Sequence, residues 1–241
     1  MLKICDLSNL SLKLKSNLIT EALKLEEIQN ENIVKIIEYF KPRDDKDSFY
    51  IFLEFCEDGD LCKYIRKSKA KKRYLSDSLV LLWLKQITQG LHYCHMTNEK
   101  KQHPLIHDDL KPENILIKNG NCKITDFGCA KVQKQEYINI LSTQFLTIGY
   151  SSPERIRGKY DFRTDLWSLG VILYEMITLE PMFSGNNSNK IYNIVHFKYN
   201  KKPMKEMNQL FKDVIENTVI VDPSKRWETP KILESIKYYE D

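Results

Sequence analysis

The sequence predicts an α+β fold in which a small β-rich part precedes a larger, mainly helical part. Residues 33–40 and 49–55 are rich in β-branched and aromatic side chains and are separated by a polar turn, which indicates a β-hairpin. Residues 79–93 are apolar nearly all round, which is typical of a buried helix. A second strongly apolar helix is predicted to begin near Asp165.

The first 30 residues predict one strand and one amphipathic helix. Residues 2–7 alternate weakly, as a strand does, and residues 11–29 carry apolar side chains at spacings of three and four. Glu21 lies within that apolar stripe, where a carboxylate needs a cation to be tolerated. Lys3 on the preceding strand is the natural partner. The alternative is that Lys3 lies in a frayed terminus and Glu21 reaches solvent.

The composition is that of an ordinary globular protein, with 42% hydrophobic and 29% charged residues. A net charge of +4 is too small to indicate a nucleic acid or a membrane as partner. The longest mostly apolar run, residues 166–179, is short for a membrane span and contains Glu175. Six scattered cysteines without a C-x-x-C pair, and no secretory signal after Met1, lead us to expect a cytoplasmic protein with reduced thiols. The oligomeric state is not indicated.

Residues 63–73 are strongly basic. Such a run could dock an acidic partner, but it is more often the solvated face of a helix.

The most informative stretch is residues 105–117, L-I-H-D-D-L-K-P-E-N-I-L-I, which predicts an apolar strand, a charged turn and a second apolar strand. A turn between two buried strands is a poor place for carboxylates, a lysine and an asparagine unless they bind something. Twelve residues after Asn114, the sequence Asp126-Phe127-Gly128 follows another short apolar run.

These motifs resemble those of the eukaryotic protein kinases. H-D-D-L-K-P-E-N stands where that family has H-R-D-L-x-x-x-N, and D-F-G is intact. Residues 152–154, S-P-E, stand for the family's A-P-E, and D-L-W-S-L-G from Asp165 is similar to the start of its F helix. The D-L-K-P-E-N form resembles the serine/threonine kinases. Residues 54–61, E-F-C-E-D-G-D-L, are weakly similar to the hinge of NIMA-related and autophagy-initiating kinases.

The resemblance implies a two-lobed kinase fold and a serine/threonine kinase that uses ATP and Mg²⁺ on protein substrates. The small lobe would be residues 1–53, with the family's third to fifth strands and its C helix. Residues 54–60 would form the hinge, and residues 61–241 the large lobe.

The resemblance also implies roles for single residues. Asp109 would accept the proton of the attacking hydroxyl, and Lys111 would stabilise charge on the transferred phosphoryl group. Asn114 and Asp126 would hold Mg²⁺. The nucleotide site would comprise the pair of Lys3 and Glu21 for the phosphates, and for the adenine Leu53, Glu54, Cys56 and Leu116.

The family's Gly-rich loop, G-x-G-x-x-G, is missing, because the first glycine of this chain is Gly59. The two strands that carry this loop in the family are absent as well, so the small lobe is expected to be incomplete. Three alternatives stay open: a fragment, a site that another chain covers, or a pseudokinase that serves as a binding scaffold. A scaffold has no physical need for the full set of polar residues described above.

Asp108 stands where the family usually has an arginine that binds a phosphorylated activation loop. An aspartate would repel such a phosphate. We therefore predict that phosphates on Ser142, Thr143 or Thr147 do not activate through that arginine's site. The resemblance further implies an ion pair between Arg226 and Glu154.

Overall fold

The computed structural model describes residues 1–6, 29–44, 48–96, 103–133, 135, 138–139 and 147–240. Its strands are β1 (Leu2–Asp6), β2 (Ile36–Phe40), β3 (Ser48–Leu53), β4 (Gly59–Asp60), β5 (Leu105–Ile106), β6 (Ile115–Lys118), β7 (Asn121–Ile124), β8 (Lys131–Val132), β9 (Ile138–Asn139) and β10 (Lys159–Tyr160). Its α-helices are α1 (Leu61–Ala70), α2 (Asp77–His95), α3 (Pro153–Arg157), α4 (Arg163–Thr178), α5 (Asn187–Val195), α6 (Gln209–Thr218) and α7 (Thr229–Glu240).

The first three strands form an antiparallel sheet with β3 in the centre. The predicted hairpin is confirmed as β2 and β3, and the predicted first strand as β1. In β1, Lys3 lies opposite Ile51 of β3, which fixes where the lysine lies relative to the rest of the sheet. The helix predicted for residues 11–29 lies almost wholly outside the described residues.

Two small sheets in the mainly helical part hold the loops that bear the predicted site residues. β4, β6 and β7 pair in that order, and β5 pairs with β8. The predicted strands on either side of the charged turn are confirmed as β5 and β6, whose apolar residues are largely buried. The turn between them is therefore fixed at both ends by buried strands.

The helices enclose the main core, and the two predicted apolar helices are confirmed as α2 and α4. Ser76 caps α2 by accepting the N–H of Leu79. Helix α4 is buried on most sides and packs closely on α6, where a side chain at Gly170 would collide with Thr218. Among the described residues, the largest fully buried side chains include Trp83, Trp167, Tyr160, Tyr174, Phe183 and Phe211.

The basic run of residues 63–73 follows the expected pattern. Helix α1 buries Leu61 and Ile65, whereas the lysines and arginines of the run are exposed to solvent. Over the part of the chain that the structure describes, no helix is both long enough and apolar enough to cross a bilayer.

Candidate active site

The charged turn between β5 and β6 forms a hydrogen-bonded cluster around Asp109. Its Oδ2 accepts from Lys111 Nζ at 2.6 Å, and its Oδ1 accepts from Thr147 Oγ1 at 2.7 Å. Lys111 Nζ also donates to Thr147 Oγ1 at 2.9 Å, which closes a ring of three groups. Asn114 Nδ2 donates to the backbone oxygen of Asp109 at 2.9 Å. The structure thus brings Asp109, Lys111 and Asn114 together.

Asp165, at the start of α4, holds the backbone of this turn. Its two carboxylate oxygens accept the N–H groups of His107 and Asp108 at 2.8 and 3.0 Å, and its Oδ2 lies 2.8 Å from His95 Nε2. Burial raises the pKa of Asp165, but the hydrogen bonds from His95 and His107 outweigh that effect, so its pKa lies below the ordinary value. A buried carboxylate that stays ionised therefore orients the turn.

His107 connects this turn with the D-F-G segment. Its Nε2 lies 2.9 Å from the backbone oxygen of Thr125, and its ring centroid lies 4.8 Å from that of Phe127. The side chain is fully buried. The two loops that carry the predicted catalytic and metal-binding residues therefore pack directly on each other.

Asp126 pairs with Lys3 from the small sheet. Asp126 has a φ of +61°, and its Oδ1 accepts from Lys3 Nζ at 2.5 Å and from the N–H of Gly128 at 3.4 Å. Burial raises the pKa of Asp126, but Lys3 and Gly128 lower it further than burial raises it. Glu21, which we predicted as the partner of Lys3, lies outside the described residues.

Three of the four predicted adenine-site residues lie in one apolar cluster. Leu53 and Cys56 are buried in it, and Leu116 packs against it from β6. This cluster joins β3 and the segment after it to Leu116 of β6, and its side chains are of the apolar type that line ligand pockets.

Glu54 differs from these three because its carboxylate makes charged contacts. Its oxygens lie 2.9 Å from Lys118 Nζ and from Lys123 Nζ and accept the N–H of Lys35 at 2.9 Å. Burial raises the pKa of Glu54, but these donors together lower it to about 2. The N–H of Glu54 donates to the backbone oxygen of Lys35. The side chain of Glu54 therefore fixes the hinge segment.

Asp108 lies in different surroundings from its neighbour Asp109. Its side chain is fully buried and bonds Arg155, Lys131 and the hydroxyl of Tyr160. From the sequence we expected Asp108 mainly to repel a phosphate. The structure adds that two cations, Lys131 and Arg155, pair with this one carboxylate.

The predicted pair of Arg226 and Glu154 is present. The guanidinium bonds both carboxylate oxygens at 2.5 and 2.8 Å, and the arginine side chain is fully buried. This pair attaches the S-P-E segment to the end of the large helical part.

The sequence matches the protein kinase domain over residues 1–236. The chain belongs to the protein kinase family. Its architecture, a small sheet followed by a mainly helical part, is the two-lobed α+β fold of these kinases.

Several relatives of this chain are named serine/threonine-protein kinases. The chain is 34% identical to a Dictyostelium discoideum protein named probable serine/threonine-protein kinase nek2. The alignment spans 236 residues and covers 95% of the chain and 53% of that protein. The chain is 31% identical to human serine/threonine-protein kinase Nek2, over 92% of the chain and 49% of that protein. Dictyostelium discoideum serine/threonine-protein kinase atg1 is 32% identical, over 93% of the chain and 33% of that protein. The kinase chain thus spans about half of these relatives or less.

Two oxygen-bearing side chains of this chain, Asn114 and Asp126, are of the type that Mg²⁺ prefers. Asn114 donates its Nδ2 to Asp109, which leaves Oδ1 as an acceptor, and Asp126 is an ionised carboxylate on the adjoining loop. Mg²⁺ that is bound with a nucleotide needs only one or two such protein ligands. Among the described residues, no cluster of three or more His, Cys, Asp or Glu side chains could hold a metal.

Sequence reasoning missed the contacts of Thr147 and the orienting role of Asp165. We considered Thr147 only as a phosphorylation site, whereas its hydroxyl bonds Asp109 from 38 residues away. Asp165 was part of a recognised motif, yet its contact with the turn cannot be read from a single sequence. Arg155 and Lys131 gave no sequence signal at all.

Proposed function

We propose that this chain is a protein kinase that transfers the γ-phosphoryl group of ATP to serine and threonine hydroxyls of protein substrates. The observation that carries the proposal is the ring of Asp109, Lys111 and Thr147. In it, an aliphatic hydroxyl donates to the carboxylate and accepts from the ammonium group. The same two groups are spaced to receive the hydroxyl of a substrate.

In this proposal each residue acts on charge or on a proton. The hydroxyl oxygen of the substrate bonds the γ-phosphorus while the bond between that phosphorus and the ADP oxygen breaks, and Asp109 accepts the proton of the hydroxyl. Lys111 stabilises negative charge on the transferred group. Lys3 and Asp126 face the phosphates, and Asp126 and Asn114 would hold Mg²⁺, which supplies charge neutralisation when bound. The apolar cluster with Leu53, Cys56 and Leu116 would contact the adenine.

Nucleotide binding is tested by thermal unfolding with ATP, in the presence of Mg²⁺ or of EDTA. Ligand that binds only the folded state raises the melting temperature, so even a weak site is detected. We expect a magnesium-dependent rise that Asp126→Asn abolishes. An equal rise in that variant would contradict the assignment of Asp126 as a metal ligand.

Phosphoryl transfer is tested with radiolabelled ATP and matched peptides that differ only in a serine, threonine or tyrosine acceptor. We expect transfer to serine and threonine, and we expect Asp109→Asn to lower kcat by about 10²- to 10⁴-fold, the usual contribution of a general base. Lys85→Gln, which removes a surface ion pair with Glu240, is the matched control. Transfer that Asp109→Asn leaves intact would refute the assigned base.

A second candidate function is a non-catalytic nucleotide-binding or scaffold module. One observation favours it: the 241 residues of this chain contain no G-x-G-x-x-G motif. A magnesium-dependent thermal shift together with no transfer to any peptide would favour this candidate.

A further inference from the structure

A buried cluster of four side chains lies beside the proposed catalytic base. The carboxylate of Asp108 is fully buried and accepts from Arg155 Nε at 2.5 Å and from Arg155 Nη2 at 3.1 Å. The hydroxyl of Tyr160 donates to it at 2.9 Å, and Lys131 Nζ also bonds it. The carboxylate of Asp108 therefore binds two cations, Arg155 and Lys131, and one neutral donor, the hydroxyl of Tyr160.

The four residues come from separate parts of the chain. Asp108 directly precedes Asp109. Lys131 lies in β8, five residues after Asp126, and Arg155 lies in α3, directly after Glu154. Residues 126–154, which we call the activation segment, are thus attached near their beginning and just after their end to one carboxylate. That carboxylate belongs to the charged turn between β5 and β6, which carries Asp109 and which we call the catalytic turn.

Burial and ion pairing stabilise the contacts of Asp108 with Lys131 and Arg155. A buried carboxylate without partners is strongly disfavoured, so Asp108 stabilises the cations beside it and they stabilise it. The Arg155 guanidinium also lies 4.5 Å from the ring centroid of Tyr160, a cation–π contact. Burial and the neighbouring Asp108 raise the pKa of Tyr160, so its hydroxyl remains a donor. The carboxylate of Asp108 therefore binds both Lys131 and Arg155 and compensates one of their two positive charges.

The cluster is connected to the reacting groups through the backbone. The N–H of Asp108 donates to Asp165, and the next residue is Asp109. At the other end, Thr147 lies within the activation segment and bonds both Asp109 and Lys111. Displacing the segment would therefore move a hydroxyl that orients the proposed base.

We propose that Asp108 and Arg155 are positioning residues, whose ion pair together with Lys131 clamps the activation segment to the catalytic turn without any phosphate on that segment. The carboxylate supplied by the chain does what an added phosphate would otherwise have to do. The effect on catalysis depends on the proposed kinase function, whereas the clamp itself does not.

The central experiment is anion rescue of Asp108→Ala. This variant leaves two cations and a hydroxyl facing a small vacated space, which formate can enter. We expect kcat for a serine peptide to fall roughly tenfold to hundredfold, as a misplaced catalytic group does, with KM for ATP unchanged within about twofold. Sodium formate, but not sodium chloride at equal ionic strength, should restore both kcat and melting temperature.

Asp161→Ala is the matched control. Asp161 is also buried and pairs with an arginine, Arg163, with the closest contact at 2.5 Å. Within the described part of the chain, the hydrogen bonds to its carboxylate come from Arg163 and not from the turn that carries Asp108. We expect this variant to lose stability without formate-dependent recovery of kcat. Recovery of kcat by formate in both variants, or in neither, would overturn the proposal.

Two further measurements do not depend on the Asp108→Ala variant. Phosphatase treatment of the wild-type chain should leave its activity unchanged, and a large loss would overturn the proposal. In the double variant Asp108→Asn with Arg155→Gln, kcat should fall no further than in either single variant, because both remove the same ion pair. Additive losses would show that the two residues act separately.

Limited proteolysis separates failure of this inference from failure of the proposed function. Asp108→Ala should be cleaved faster than the wild type within residues 126–154, and formate should slow that cleavage, whether or not the chain transfers phosphate. A wild-type chain without transfer that shows this pattern has the clamp but not the proposed activity. An active wild type whose Asp108→Ala variant is equally active and equally resistant lacks the clamp.

Discussion

The two sides of the candidate site differ in how their charges are held. On the large-lobe side, the side chains of Arg226 and Asp165 are almost completely buried, with 0% and 1% exposed. On the nucleotide side, Lys3 and Asp126 form a pair whose side chains are 37% and 44% exposed. Both sides contain ion pairs of similar length, so the difference lies in solvent access.

This difference indicates which part of the site is ready before any ligand binds. Buried charges need fixed partners, because separating them leaves an uncompensated charge in a medium of low polarity. The catalytic turn is therefore positioned by the fold itself. Separating an exposed ion pair in water costs little free energy. Under the proposed function, Lys3 and Asp126 would therefore separate readily to bind phosphate oxygens and a metal ion.

The largest expected effect on stability comes from breaking a buried pair. Arg226→Gln leaves Glu154 without its bidentate partner, and we expect the free energy of unfolding to fall by about 3–5 kcal/mol. Urea denaturation measures it. The control, Lys85→Gln, breaks an exposed pair of 2.6 Å and should cost no more than about 1 kcal/mol. Equal losses in the two variants would refute the distinction by burial.

An intermediate effect is expected at Glu54, whose pKa is lowered from 4.5 to about 2 in the folded state. Because the unfolded chain binds the proton more readily, the contribution of Glu54 is complete above about pH 4.5 and is lost as pH falls toward 2. We expect Glu54→Gln to remove about 1 kcal/mol at pH 7.

The measurement for Glu54 is the melting temperature between pH 2 and pH 7. The difference between the wild type and Glu54→Gln should shrink steadily as the pH falls through this window. A difference that stays constant from neutral to acidic pH would mean that the ionised carboxylate contributes nothing through Lys118 and Lys123.

The smallest effect on stability is expected at the exposed pair. Asp126→Asn should change the free energy of unfolding without ligand by less than about 0.5 kcal/mol, although it should abolish the magnesium-dependent shift with ATP. Urea denaturation of the ligand-free variant measures the first quantity. A loss of several kcal/mol would show that Asp126 supports the fold and is not reserved for a ligand.

The sequence alone determined the order of elements, the family and the residues of the charged turn. Alternation and apolar runs predicted β1, the β2–β3 hairpin, β5, β6, α2 and α4, because these patterns reflect local periodicity and burial. The spacing from Asp109 to Asn114 and on to Asp126 indicated one candidate catalytic stretch, since polar groups on a short loop between buried strands are disfavoured unless they bind something. The pair of Arg226 and Glu154 followed from the resemblance.

Only the tertiary structure decided the contacts between distant segments. Thr147 and Asp109 are 38 residues apart, and Arg155 and Asp108 are 47 apart, so no local pattern links them. The sequence distinguished Asp108 from Asp109 by position, but it could not show that one is buried among cations while the other faces Lys111 and Thr147. That division arises because chain folding brings distant residues to each carboxylate, and local sequence carries no record of which residues these are.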